Sequence, residues 1–172
     1  PPLGTPGRSG APPSLDCMPG DPSLEREYSA AMRDGIRRAS RVFAQPLPAS
    51  PDGEDGVDLQ SWSDEVLGPW LQAKLALIQG ARSYLDEAAE QSRAQRVVGG
   101  AIVGLMYEDV AADLGAVPVP RSLRDEPEIA AMFRASLLRR ARPQLEVARR
   151  ALYACSRNAA LLSRGEHWQR FC

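Results

Sequence analysis

Between Ile129 and Cys155 an apolar residue returns at every third or fourth position: Ile129, Met132, Phe133, Leu137, Ala141, Leu145, Ala148, Leu152 and Cys155. A strand turns every second side chain to one face, whereas a helix gathers positions three and four apart, so this spacing confines the segment to a long amphipathic helix. The same period runs through Leu24, Tyr28, Met32, Ile36, Ala39 and Phe43. It returns in Trp62, Val66 and Trp70, continued by Leu71, Leu75, Ile78, Leu85 and Ala88, and again in Val97, Ala101, Leu105 and Val110. The expected fold is therefore all-α, a set of antiparallel helical hairpins, with no β-sheet. Helices are expected near 22–44, 62–90, 94–115 and 126–162, with a short one near 165–172.

Start and stop signals set these bounds. Asp21 can cap a helix whose first turn holds Pro22, with Glu25 at the capping-box position. Pro46 ends it, and residues 46–58 read as a polar loop. Pro69 allows a kink or a fresh helix start. The stretch Gln91 to Gln95 reads as a turn, Gly115 offers a C-terminal cap, and Pro118 and Pro120 hold an extended connection. The last long helix starts at Asp125, Glu126 and Pro127, and Pro143 should kink it or divide it in two. Residues 1–21 form a Pro- and Gly-rich arm, since such a composition buries too little surface to offset chain entropy. The Pro2 to Pro6 spacing reads as a spacer rather than a ligand. Residues 22–172 are the helical domain.

With 21 Lys and Arg against 22 Asp and Glu, the chain has no net field to recruit nucleic acid. Its most apolar window, Val97 to Met106, is too short to span a bilayer. Catalytic patterns are missing. His167 is the sole histidine, so a triad or a histidine-based metal centre has nothing further to draw on, and it reads as a surface or capping residue. No glycine-rich phosphate loop follows a strand. Asp52, Glu54, Asp55 and Asp58 cluster as calcium ligands would but lack the EF-hand register, so they read as a solvated loop. Glu108, Asp109 and Asp113 share helical spacing without the Glu-x-x-His partner of a di-metal bundle, and are expected on an exposed face. No catalytic residue, metal or cofactor is expected. Arg134, Arg139, Arg140, Arg142, Arg149 and Arg150 fall mostly off the apolar stripe, as a solvated face or as a basic face for an acidic partner.

Gly99, Gly100 and Gly104 cost about 1 kcal/mol each in a helix interior, so their expected compensation is close helix packing. The cysteines are three. The midpoint of Cys155 and Cys172 falls between Ser163 and Arg164, beside Gly165, the best turn signal of the C-terminal region. A hairpin folded there sets the two cysteines opposite each other, so a Cys155–Cys172 disulfide is expected, with Cys17 unpaired.

One further pattern spans about Trp70 to Cys172. An Ala- and Leu-rich helix with Ala73, Leu77, Ala81 and Tyr84 leads to Gly104-Leu-Met-Tyr-Glu-Asp, then to Ala116-Val-Pro-Val-Pro-Arg-Ser-Leu, then to Phe133, Leu137, Ala141, Pro143, Ala148 and Tyr153. This block resembles the tetratricopeptide-like helical-hairpin envelope proteins of deltaproteobacteria, including myxobacteria. The resemblance implies stacked hairpins that bind partner proteins, and a periplasmic or outer-envelope home. No 34-residue period repeats here, so the fold is TPR-like or an irregular helical bundle. The expected function is a noncatalytic protein-protein interaction or scaffolding module whose partner is another protein. The alternative is a small-ligand-binding or regulatory helical bundle.

Overall fold

The computed structural model describes residues 13–49, 51 and 58–172. Residues 1–12 of the expected arm, and Asp52, Glu54 and Asp55 of the acidic loop, lie outside the described residues. The helices are α1 Pro22–Arg26, α2 Ala30–Phe43, α3 Leu59–Trp62, α4 Gly68–Gln91, α5 Arg93–Ala116, α6 Pro127–Ala159 and α7 Glu166–Phe171. A π-helical turn, Ser63–Leu67, joins α3 to α4, and 3-10 turns form at Leu15–Cys17 and Arg121–Leu123. Among the described residues there is no strand.

α5 is the centre of an irregular all-α bundle. Its buried positions run from Gln95 to Leu114 and take in nearly the whole circumference, as expected of a helix enclosed by others. α4 and α6 flank it, and α2 lies on α4 and the start of α5. Matched contacts fix the directions. Leu85 of α4 meets Gly99 of α5, Leu152 of α6 meets Gly104, and Leu85 also meets Gly35 of α2. Second contacts, Lys74 with Asp109, Cys155 with Gly100, and Trp70 with Pro46 just past α2, show the numbers running in opposite senses along each pair, so neighbours are antiparallel. Ser92 alone links α4 to α5, with an extended backbone and its Oγ accepting from the Gln95 N–H at 3.1 Å.

The three glycines of α5 serve two interfaces. A Cβ on Gly104 would lie 2.6 Å from Leu152 Cδ2, and one on Gly100 would lie 3.4 Å from Cys155 Cβ, both on α6. Gly99 faces α4 instead, against the Leu85 carbonyl at 3.4 Å. Gly35 makes a comparable approach that the sequence pattern did not single out, its absent Cβ 2.6 Å from Leu85 Cδ2.

Two expectations are corrected. The helix foreseen over 22–44 is two helices, because Ser29 leaves the helical conformation and caps α2, its Oγ accepting from the Met32 N–H at 3.1 Å. A tertiary contact holds that break: the Ser29 N–H and Oγ both donate to Oε1 of buried Gln95, at 3.0 and 2.7 Å. Pro143 does not divide α6, which continues through it as one helix. Pro143 faces solvent, where the Arg139 carbonyl it leaves unbonded can be hydrated. At the end of the span read as arm, Leu15 and Met18 pack against the core.

Candidate interaction surface

α6 carries seven arginines, at 134, 139, 140, 142, 149, 150 and 157, against two glutamates, Glu128 and Glu146. Its buried stripe, Ala130, Phe133, Leu137, Ala141, Ala148, Leu152, Cys155 and Ala159, takes one side of the helix and turns the arginines outward. All seven are exposed. Arg142 pairs with Glu146 at 3.3 Å, Arg157 lies 6.0 Å over the Tyr153 ring, and Arg140 Nη2 donates to Ser63 Oγ at 2.7 Å. Among the described residues no carboxylate pairs with Arg134, Arg139, Arg149 or Arg150. Large apolar side chains stand among them: Met132 is 71% exposed, Leu138 62% and Tyr153 66%. The face is therefore cationic and partly apolar, the mixture that recognition surfaces favour through arginine and aromatic groups.

Beside this face a groove of about 230 Å³ runs between the Leu59–Leu67 segment and the first half of α6. Its apolar walls are Leu59, Trp62, Leu67, Ile129, Met132 and Phe133, with Ser63 and Arg140 also at the lining. Asp58 starts this segment by capping α3, its Oδ1 accepting from the Gln60 and Ser61 N–H groups. The Trp62 ring lies 6.2 Å from that of Phe133 while its Nε1 donates to the Ala49 carbonyl. Trp70 likewise donates to the Pro46 carbonyl at 2.8 Å. Both indoles thus tie down the chain that follows α2. A second, wider groove, lined by Tyr153, Arg157, Leu161 and Gln169, opens at the far end of α6.

The acids Glu108, Asp109 and Asp113 do not form an exposed face, which corrects the sequence expectation. Asp109 is buried and Asp113 is largely covered, and both turn towards Lys74, the only lysine of the chain. Lys74 is fully buried, its Nζ 2.7 Å from Asp109 Oδ2, in contact with Asp113 Oδ2, and 5.5 Å from the centre of the Trp70 ring. Burial pushes the Asp109 carboxyl above its usual range, Lys74 opposes that, and Asp113 adds to it. The cluster joins α4 to α5 and is closed to solvent at the ammonium. The sequence clue was available: a solitary lysine at an apolar heptad position, opposite two acids one helical turn apart.

The chain ends in a disulfide-closed hairpin. The bridge expected between Cys155 and Cys172 is formed, with a Cα separation of 5.9 Å, and Cys17 is free and exposed. The turn after α6 needs Gly165, because a Cβ there would overlap the Ala159 carbonyl. Trp168 is buried beneath the hairpin with Phe171 edge-on at 6.0 Å. His167 Nε2 lies 3.6 Å from Asp21 Oδ2, and Asp21 also accepts from the Leu24 N–H, so the histidine meets the residue that caps α1. Tyr28, beside that cap, has its phenol pushed up to about 12, by burial first and then by Glu25 and Asp21.

No family model, curated protein or solved structure matches the chain.

Proposed function

We propose that this chain is a noncatalytic protein-binding or scaffolding module whose outer α6 face receives an acidic segment of a partner protein. One observation carries the reading: seven arginines stand against two glutamates on α6, although the whole chain has a net charge of −1. The acidic excess is thus displaced to the rest of the molecule, and α6 is left with a strongly positive face. The weak overall charge provides no long-range attraction for a phosphate polymer, which favours a protein partner recognised over a short distance.

Three groups capable of chemistry are engaged elsewhere. Cys155 is bridged, Lys74 is buried in an ion cluster, and His167 faces a helix-capping aspartate. These engagements favour a binding role over a catalytic one. The alternative of a small-ligand bundle draws less support, since the two grooves along α6 lie at the surface rather than enclosed by the helices. A TPR-like scaffolding role draws on the antiparallel hairpins α4/α5 and α5/α6. Residence outside the cytoplasm, in a cell-envelope complex, is supported by the disulfide, because such bonds persist in oxidising compartments. Among the described residues no helix is long and apolar enough to cross a membrane.

The test is capture of partners from a source lysate by the parent chain and by the double variant Arg149→Glu, Arg150→Glu, followed by mass spectrometry. The parent is expected to retain a protein that the charge-reversed variant loses, and that raised salt releases. Retention of the same proteins by both chains would sink the reading.

A further inference from the structure

We infer that the groove between the Leu59–Leu67 segment and the first half of α6 is an anchor site for an acidic peptide segment bearing one large apolar side chain. The inference rests on the reading of α6 as a surface for an acidic partner, and it names the chemistry of the segment that docks first.

Shape and charge select this occupant. The walls at Leu59, Trp62, Leu67, Ile129, Met132 and Phe133 are apolar, and among the described residues no carboxylate lines the groove. Its volume of about 230 Å³ falls below the roughly 300–1,000 Å³ of typical small-molecule sites, yet suits a single aromatic or branched side chain of the kind that dominates binding at interfaces. Met132 and Ile129 form an open rim, 71% and 40% exposed, through which a peptide can enter and leave.

Among the described residues Arg140 is the only charged group of the lining. Ser63 takes one of its N–H donors, so the guanidinium is held in place at the groove while its remaining donors stay available for a carboxylate. Seven residues after Met132, two helical turns along the same side, stands Arg139. A peptide passing over Met132 therefore continues onto the arginine face. An acid next to the anchor residue meets Arg140, and later acids meet Arg139 and Arg142. The π-helical turn Ser63–Leu67 places both Ser63 and Leu67 on the groove, a use consistent with the frequent occurrence of such turns at functional sites.

The experiment is selection of random displayed dodecapeptides on the full chain, followed by fluorescence anisotropy of the best synthetic peptide. It is measured against the parent, Met132→Glu, Arg140→Gln, and the double variant Arg149→Glu, Arg150→Glu. Met132 and Arg140 are exposed, so both substitutions leave the core intact, which circular dichroism verifies. The selected peptides are expected to share a large apolar residue adjoining Asp or Glu, and Met132→Glu and Arg140→Gln should each weaken binding about tenfold or more. Acidic peptides that bind Met132→Glu and Arg140→Gln as tightly as the parent, yet lose affinity for the double variant, would overturn the groove and leave the α6 reading standing. Neutral peptides dependent on Met132 would overturn the acidic partner class, and selection of no peptide, or of peptides indifferent to all variants, would overturn both. Self-association of the parent in sedimentation, abolished by Met132→Glu, would assign the groove to a second copy of this chain and likewise overturn the inference.

Discussion

Removing the Lys74 ammonium would leave two carboxylates of α5 facing the interior with no cation between them. A buried pair broken from one side typically costs about 3–5 kcal/mol, so Lys74→Met should lose stability of that order near neutral pH. The pH dependence has a definite sign. Asp109 has a folded-state pKa above its unfolded value, so its contribution is whole below the ordinary carboxylate range and is lost as pH rises through the raised value. Lys74 holds that rise in check. The gap between parent and Lys74→Met in urea denaturation should therefore widen between about pH 4 and 7, and a gap independent of pH would count against this account. Gly104 is constrained by shape rather than charge. Gly104→Leu must displace Leu152 across the α5/α6 contact and should destabilise by roughly 1–3 kcal/mol, whereas an unchanged denaturation midpoint would mean that the two helices can part without loss.

At the scale of the element, the C-terminal hairpin and α6 answer to different forces. α7 is short and is held by Trp168, Phe171 and the bridge to Cys155, so the disulfide contributes much of its anchorage. The loop it closes has a sequence separation of 17, for which the chain-entropy model gives about 3 kcal/mol. Thiol titration of the denatured, unreduced protein should find one free thiol, that of Cys17, and finding three would refute the pairing. In α6, Pro143 removes a backbone donor from a helix that nevertheless continues past it. Since its side chain is exposed and packs no core, Pro143→Ala should stabilise the protein, by up to about 3 kcal/mol on helix propensity. A fall in melting temperature would show that Pro143 has a packing role.

Across the whole molecule, what the sequence by itself determined was the helical class, most element bounds, the outward arginines of α6 and the pairing of Cys155 with Cys172. These rest on relations within one segment: a period of three to four residues, a capping residue, or two cysteines equally far from a turn. Tertiary structure decided the rest. Asp109 and Asp113 are visibly on one face of α5 in the sequence, but that face turns inward only because α4 brings Lys74 against it. Ser29 divides the first helical stretch because Gln95 of α5 is there to receive its hydrogen bonds. The three glycines of α5 are close in sequence yet divide between α4 and α6, since neighbours on a helix point in different directions. The groove was equally hidden: Trp62 and Phe133 belong to segments separated by two long helices, and only the folding of α6 back along α5 brings their rings together. Periodicity states which side of a helix seeks cover, but not which distant side chain supplies it, because that depends on how whole helices pack and on the polar groups each interface must satisfy.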